Sequence, residues 1–498
     1  MQRKHWWLIL ILVVAAALRF ASIDSVPPGL YPDEAMNGNN ALEALRTGDF
    51  KVFYPENNGR EGLFINIQAL SLSAFGNTPW ALRLPSTIFG LLTVLGVYFL
   101  TREIFFYHRS KEALSLLATF LLATSFWHIN FSRIAFRAIM APATLVWGMY
   151  FLLLSFRRAR LPGYLNRLFL PAAGGIIYGL GLHSYIAYRI TPIIILAVLI
   201  FYFFQARKER WLTQFYKTTV LFIVFSFLTF LPLGIYFAEN PQDFLGRTSQ
   251  ISIFSSKSPI SSLAINTLKT AGMFNVAGDG NWRHNIAERP LLFWPVGIMF
   301  LVGIISGVLA LFKRTQESQA TKEKIAFFLL FIWFAAAALP VVISSEGLPH
   351  ALRAILMAPA VFILASLGGL SIFNYLKTHF RIEYLKVAVS VLIAVLIMEA
   401  YTSYFITWAK DPNTAEAFNR DYALLGEELN SLSPDQTKYV VVTAEGAQVH
   451  GIPMPAQTVM FLTDTFGLEQ RQAKNIYYLT PDELSEPLPE SASLFYIR

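Results

Sequence analysis

The sequence predicts an α-helical polytopic membrane protein with about eleven transmembrane helices and a small C-terminal extracytoplasmic α/β domain. Long apolar runs recur along most of the chain, basic residues gather on one side of these runs, and the composition changes after residue 408. Of the 498 residues, 55% are hydrophobic and 14% are charged, and the mean hydropathy is +0.47. A water-soluble globular protein of this length would be far more polar.

Apolar runs long enough to cross a bilayer core of about 30 Å define the predicted transmembrane segments. They are 6–22, 84–106, 113–129, 138–156, 168–185, 190–206, 218–237, 291–312, 325–344, 354–374 and 387–408. The first segment could also be a cleaved signal peptide, but the many apolar runs after it favour a retained anchor. The predicted membrane domain is therefore 1–408, with long outer loops at 23–83 and 238–290.

The basic residues predict the orientation of the chain. Cytoplasmic loops carry an excess of lysine and arginine, and Arg102, Arg157, Arg207 and Lys377 stand at segment ends on the same side. That side is assigned to the cytoplasm of a cell (plasma) membrane, which places the C-terminal region outside. The net charge of +8 then follows from topology and gives no reason to expect nucleic acid as a partner.

Residues 409–498 are predicted to form the extracytoplasmic α/β domain. A polar amphipathic helix near 413–432 precedes β-like runs at 439–442, 458–462, 476–479 and 494–497. The chain contains no cysteine, so that its outer regions have neither disulfides nor a thiolate metal site.

Two adjacent carboxylates, Asp33 and Glu34, follow the first apolar segment, where a new helix is expected to run to about Leu45. Asp33 alone could be an ordinary helix N-cap. A cap needs only one acid, however, and a second acid at the membrane surface raises the cost of keeping both ionised. Function therefore becomes the better interpretation, and both residues are catalytic candidates.

Arginines recur in the predicted outer loops. Arg60 and Glu61 open a stretch to Phe75 that is predicted to lie along the membrane interface, and they could be a weak surface ion pair. The alternative is that Arg60 faces a phosphate and Glu61 a metal or an acceptor hydroxyl. Arg133 and Arg137 could snorkel towards lipid headgroups. Arginines on an outer loop nevertheless run against the positive-inside tendency, which indicates an anionic ligand.

Further basic groups in the later outer loops are Arg283, His284, His350 and Arg353. Each alone is more often structural than functional. Together with the earlier arginines they form a predicted ring that suits a phosphate group, or a divalent metal held by histidine and carboxylate. Glu61 and His350 are the candidate metal ligands.

An outer acid beside cationic groups, in a membrane protein without a nucleotide motif, fits a lipid-phosphate substrate such as a polyprenyl-phosphate sugar. A transporter or flippase of a lipid-linked or anionic substrate is the main alternative, although it predicts broken helices and an internal repeat. A non-catalytic outer-face sensor or assembly protein, built around the C-terminal domain, is a third possibility.

The motifs resemble those of a known family. Residues 31–35 (Tyr-Pro-Asp-Glu-Ala), 60–64 (Arg-Glu-Gly-Leu-Phe) and 81–86 (Ala-Leu-Arg-Leu-Pro-Ser) resemble the protein O-mannosyltransferase-like glycosyltransferases, which include glycosyltransferase family 39 and the aminoarabinose transferases. Residues 133–142, 283–285 and 349–359 look like further segments of bacterial members. The resemblance covers roughly 1–408 and implies the GT-C fold.

The resemblance also implies an activity: inverting transfer of a sugar from a polyprenyl-phosphate donor to a protein, lipid or glycan at the outer face of the bilayer. Asp33 would be the general base, with Glu34 as its partner in acceptor or metal binding. Arg60, Arg133 and Arg137 would be candidates for the donor phosphate. The chain has Glu61-Gly62 where many members carry His-Pro-Pro or Lys-Pro.

Overall fold

The computed structural model describes residues 2–159, 165–250, 253, 258–313, 318–484 and 492–498. Its α-helices, in chain order, are α1 (Gln2–Phe20), α2 (Pro32–Thr47), α3 (Gly62–Phe75), α4 (Pro79–Ile104), α5 (Lys111–Ala123), α6 (Phe126–Phe131), α7 (Met140–Arg158), α8 (Leu165–Gly181), α9 (Pro192–Lys208), α10 (Leu212–Glu239), α11 (Pro241–Gln250), α12 (Pro259–Gly272), α13 (Trp294–Phe312), α14 (Ser318–Val342), α15 (Ala358–Lys377), α16 (Ile382–Tyr401), α17 (Pro412–Ala417), α18 (Arg420–Ser431), α19 (Gln457–Thr463) and α20 (Leu468–Lys474). The strands are β1 (Phe53–Tyr54), β2 (Arg60–Glu61), β3 (Lys438–Val442), β4 (Gln448–Val449), β5 (Ile452–Pro453), β6 (Ile476–Leu479) and β7 (Ser493–Ile497).

The chain is a multi-pass membrane protein. Within the described residues, eight helical stretches are long and apolar enough to cross a membrane: Pro79–Ile104, Arg137–Arg158, Ile186–Lys208, Leu212–Glu239, Trp294–Phe312, Glu323–Val342, Ile355–Lys377 and Ile382–Trp408. Each overlaps one predicted segment. The predicted segments 6–22 and 168–185 fall on the shorter apolar helices Trp6–Phe20 and Leu168–Gly181. Segment 113–129 is divided between α5 and α6. The count of eleven is therefore not confirmed.

One compact unit contains Met1–Arg19, Ile88–Ser132 and Ala138–Ser403, and it includes most of the membrane helices. Glycines allow its helix backbones to approach closely. A Cβ at Gly303 of α13 would collide with the carbonyl of Leu364 on α15, and a Cβ at Gly368 of α15 would collide with that of Met299. Such contacts between small residues are typical of helices that pack within a bilayer.

The second compact unit contains Phe20–Thr87, Arg133–Arg137 and Tyr404–Arg498. Its helix α2 has Pro32 at its first position and ends at Gly48 in the left-handed conformation, as helix start and stop signals predict. Strands β1 and β2 pair as an antiparallel hairpin just before α3. The helix predicted to begin at the acid pair is therefore present, and the stretch after Arg60-Glu61 forms helix α3.

The C-terminal part of this unit combines helices with a three-stranded parallel sheet in the order β6-β3-β7. Valines of β3 pack in one core cluster with Leu429 of α18 and Ile476 of β6. The strands predicted near 439–442, 476–479 and 494–497 are present. An independent domain that starts after residue 408 stays a prediction.

The strand predicted at 458–462 is wrong, because these residues belong to α19. Short apolar runs do not distinguish a strand from a buried helix. Val459 and Met460 pack in the C-terminal core cluster, whereas Phe461 packs with Ala35 and Ala41 of α2 in another cluster. The run is apolar because α19 is buried on both sides.

Candidate functional site

The acid pair begins helix α2 but does not cap it. The N-cap residue is Tyr31 and Pro32 is the first helical residue, so that Asp33 and Glu34 lie inside the first turn. The N-cap interpretation of Asp33 is therefore wrong. The two side chains have different environments, because Asp33 is half-buried and Glu34 is fully buried.

Glu34 is held in a buried network. Its Oε2 accepts hydrogen bonds from Nε of Arg83 at 3.1 Å and from the backbone N–H of Ala135 at 2.7 Å. Its Oε1 accepts from the backbone N–H of Tyr31 at 3.3 Å. Arg83, also fully buried, donates to the carbonyls of Pro27 and Gly29. The Glu34 carboxylate, at the start of α2, is thus bonded both to Arg83 and to the segment 133–137.

Asp33 has a different partner. Its Oδ1 accepts a hydrogen bond from Nδ2 of Asn57 at 2.7 Å. The buried guanidinium of Arg60 is near enough to interact electrostatically with the Asp33 carboxylate. Since Asp33 remains partly exposed, it is accessible to a substrate as well as to these neighbours.

The buried side chain of Arg60 is hydrogen-bonded to helix α2. Its guanidinium donates to Oδ1 of Asn37 at 2.8 Å and to Oδ1 of Asn40 at 2.6 Å, both on α2. Burial, followed by repulsion from Arg137, lowers the pKa of Arg60 to about 10. The side chain therefore keeps its positive charge at neutral pH.

The other two arginines differ in exposure. Arg133 is buried, donates to the carbonyls of Ser22 and Val26, and lies 4.9 Å from the ring centre of Phe405. Burial lowers its pKa. Arg137 is partly exposed, and its Nε donates to Oε2 of Glu61 at 3.0 Å. Of these predicted phosphate ligands, Arg137 is the most accessible.

The remaining predicted site residues lie in the other compact unit. Nδ1 of His284 is 2.9 Å from Oδ2 of Asp279, and the same oxygen accepts from the backbone N–H of Ala351 at 2.8 Å. Nδ1 of His350 is 3.9 Å from this oxygen, and the two imidazole rings are 4.8 Å apart. His284 and His350 are thus brought together around an aspartate that sequence reasoning missed.

Arg283 and Arg353 make local contacts in this unit. Nε of Arg283 donates to Oδ1 of Asn281 at 3.2 Å. The buried guanidinium of Arg353 donates to Oγ of Ser344 and to the carbonyl of Glu346. Their predicted binding of a donor phosphate stays a prediction.

Asp279, His284 and His350 fit a divalent metal. Within the part of the chain that the structure describes, they are the group of histidines and carboxylates whose ligand atoms lie close enough for one ion, all within 4.8 Å. One carboxylate and two imidazoles suit zinc in particular. Glu61, the other predicted metal ligand, is paired with Arg137 and is not part of this group.

Elemental analysis tests this metal set directly. If the three residues hold a divalent ion, purified wild-type protein retains stoichiometric metal after dialysis, and His284→Ala and Asp279→Ala variants lose it. A His379→Ala variant removes an exposed histidine outside the set and is the matched control. Equal metal content in all four proteins would contradict the assignment.

Comparisons with known proteins agree with the architecture. The family model for dolichyl-phosphate-mannose-protein mannosyltransferases matches residues 63–236. Comparison with curated proteins gives no significant match.

Solved structures share the fold. The oligosaccharyltransferase AglB from Archaeoglobus fulgidus, in complex with an inhibitory peptide and a dolichol-phosphate, has a TM-score of 0.56 and 15% identity over 97% of this chain. The chain spans 65% of that protein. The same enzyme in complex with Zn and sulfate has a TM-score of 0.53 and 15% identity, over 96% of this chain and 62% of that one.

The match to a bacterial structure covers most of both chains. ArnT from Cupriavidus metallidurans, bound to undecaprenyl phosphate, has a TM-score of 0.56 and 14% identity over 95% of this chain and 90% of that one. The family-model match and these structures confirm the predicted resemblance to GT-C glycosyltransferases and the GT-C type fold.

Proposed function

We propose that this chain, a multi-pass membrane protein with the GT-C fold, transfers a sugar from a polyprenyl-phosphate donor to an acceptor hydroxyl at the outer face of the cell membrane, with inversion. The main observation is that a partly exposed carboxylate, Asp33, shares a compact unit with the partly exposed Arg137. The buried cation Arg60 interacts electrostatically with both.

The donor class is supported by the relatives. The family model is that of mannosyltransferases that use dolichyl-phosphate-mannose. The archaeal structure contains a dolichol-phosphate and the bacterial one undecaprenyl phosphate, and both compounds are polyprenyl phosphates. The proposed acceptor is a hydroxyl group of a protein, a lipid or a glycan.

Asp33 is the proposed general base. It would take the proton of the acceptor hydroxyl while the acceptor oxygen bonds to the anomeric carbon of the sugar. The bond between that carbon and the phosphate oxygen breaks, and its electron pair leaves with the polyprenyl phosphate. Attack from the face opposite the leaving group inverts the anomeric carbon.

The leaving phosphate gains negative charge in this step, which a nearby cation stabilises. Arg137 is the proposed contact because it is partly exposed and is oriented by Glu61. Arg60 and Arg133 are buried and hydrogen-bonded within the protein. We propose that they supply fixed positive charge to the site and hold the surrounding segments in place.

Glu34 is proposed to position the site. Its carboxylate is shared between Arg83 and two backbone N–H groups, and it holds segment 133–137, which ends at Arg137, against the start of α2. Its role is therefore to fix Arg137 and Asp33 on one frame. Direct contact of Glu34 with the acceptor would require this network to open.

A divalent ion is proposed for Asp279, His284 and His350. When bound, such an ion supplies a fixed positive charge that binds anionic or hydroxyl groups. Asp279 accepts hydrogen bonds from the backbone N–H groups of Asn281 and Ala351, and these contacts orient its carboxylate.

Replacement of Arg137 tests the proposed phosphate contact. We expect Arg137→Ala to raise the KM for a polyprenyl-phosphate sugar about tenfold or more, because a hydrogen bond to a charged group is worth about 1.5–3 kcal/mol. Arg137→Lys should give a smaller increase, since lysine keeps the charge but not the guanidinium geometry. The measurement is the initial rate of polyprenyl-phosphate release against donor concentration.

Glu61→Gln is the control for this experiment. It removes the charge partner but leaves the Arg137 cation, so that its effect on KM should be smaller than that of Arg137→Ala. An unchanged KM in Arg137→Ala would remove Arg137 from donor binding.

A further inference from the structure

The connection between β1 and β2 has an unusual backbone. Asn57, Asn58 and Gly59 follow one another with φ values of +51°, +64° and +78°. Asparagine tolerates the left-handed region better than most residues, but two in succession before a glycine are uncommon. Backbone strain of this kind occurs mainly at functional sites, where the surrounding structure holds the strained residues in place.

The surrounding contacts hold this connection firmly. Arg60, the residue after it, is bonded to α2 through Asn37 and Asn40. A Cβ at Gly59 would lie 3.0 Å or less from the ring of Phe53, so that this position requires glycine. Glu56, at the start of the connection, accepts from the N–H of Gly59 through its carbonyl at 3.2 Å.

This geometry allows Asn57 to donate one hydrogen bond to Asp33, the proposed base. Nδ2 of Asn57 is directed at Oδ1 of Asp33 at 2.7 Å, whereas Asn58 next to it is exposed. The described residues place no hydrogen-bond donor on Oδ2 of Asp33. The two carboxylate oxygens are therefore not equivalent.

We infer that Asn57 is a positioning residue, which occupies Oδ1 of Asp33 and leaves Oδ2 directed at the acceptor hydroxyl. This inference rests on the proposed role of Asp33 as general base. The amide donor fixes the rotation of the carboxylate, and the proton that leaves the acceptor oxygen binds at Oδ2.

The charged groups near Asp33 form ion pairs that do not involve Asn57. Arg60 interacts with Asp33 and with Glu56, whose carboxylate is 4.0 Å from its guanidinium. Glu34 belongs to the Arg83 pair, and Arg137 belongs to the Glu61 pair. Because Asn57 carries no charge, its replacement by glycine removes a hydrogen bond and leaves these ion pairs in place.

A matched pair of glycine variants tests the inference. Asn57→Gly and Asn58→Gly both suit a left-handed backbone, but only the first removes the hydrogen bond to Asp33. We expect Asn57→Gly to lower the transfer rate at least about tenfold at neutral pH, as loss of a charge-assisted hydrogen bond does. The loss should appear in kcat and leave the donor KM at its wild-type value, because Asn57 contacts Asp33 and not a residue proposed for the donor phosphate. Asn58→Gly should match wild type in both measurements.

A third variant keeps the side-chain shape. Asn57→Asp keeps the size of the side chain but has no N–H to donate to Asp33, so that kcat should fall here too while the donor KM stays unchanged. The probe is release of undecaprenyl phosphate from the undecaprenyl-phosphate sugar that the full-length wild-type protein consumes fastest.

The outcomes separate this inference from the proposed function. Wild-type rates in both Asn57 variants, while Asp33→Asn is inactive, would overturn the role of Asn57 alone. Lower rates that come with a higher donor KM, or with a lower midpoint of thermal unfolding, would show a merely structural role and also overturn it. Full activity in Asp33→Asn would instead overturn the proposed function.

Discussion

Asp33→Asn should reduce sugar transfer from a polyprenyl-phosphate donor by about 10²-fold to 10⁴-fold, the contribution typical of a general base. Asparagine keeps the size of the side chain but cannot accept the proton of the acceptor hydroxyl. Because Asp33 is partly exposed and its protein hydrogen bond comes from Asn57, folding and membrane insertion should be retained. The measurement is the rate of polyprenyl-phosphate release by purified variants.

Asp49→Asn is the matched control for this variant. Asp49 is an exposed acid that follows the same helix, so that its neutralisation should leave the rate within about twofold, as expected for a surface change. Near-wild-type transfer in Asp33→Asn would exclude Asp33 as the base.

Glu34→Gln should have the largest effect on stability. It leaves Arg83 as a buried charge without its carboxylate partner, and loss of one member of a buried ion pair typically costs about 3–5 kcal/mol. We expect a much lower midpoint of thermal unfolding for the purified protein and a lower yield of folded material.

Two further variants show whether the ion pair is the cause. Adding Arg83→Met to Glu34→Gln should restore part of the lost stability, because the unpaired charge is then removed. Asp464→Asn breaks the exposed pair with Arg46 and should cost at most about 1 kcal/mol. A Glu34→Gln protein as stable as Asp464→Asn would contradict the structural role of the pair.

Sequence patterns predicted the parts of the fold that depend on local signals. Within the described residues, the apolar runs located the eight helical stretches that are long and apolar enough to cross a membrane. Pro32 and Gly48 mark the ends of α2 where start and stop signals are expected. The boundaries of α5 and α8 were less accurate, because turns at glycine and serine interrupt apolar runs without changing their hydropathy.

The acid pair shows what the sequence could not provide. Asp33 and Glu34 cannot be distinguished from the sequence alone. In the structure, Asp33 is partly exposed, whereas Glu34 is fully buried against Arg83. The difference arises from neighbours that are distant in sequence, above all Ala135. Arg83 lies in the motif 81–86, which was the available signal for it.

Two other residues were missed for related reasons. Asp279 lies in a turn-rich loop where an aspartate normally needs no special explanation, and its meeting with His350 depends on the fold. Asn57 carries no charge, and its side chain acquires a role only through the left-handed backbone around it. Side chains of this kind are identified by contacts and not by patterns.

Donor cleavage in proteoliposomes is the most direct test of the central claim. Wild-type protein and Asp33→Asn are incubated with a panel of undecaprenyl-phosphate and dolichyl-phosphate sugars and a cell-envelope extract as acceptor source, and the products are analysed by mass spectrometry. The account predicts that wild type releases the free polyprenyl phosphate and forms a glycosylated product, and that Asp33→Asn forms neither. Donor that crosses the bilayer intact, without cleavage by wild type, would contradict it and favour a flippase.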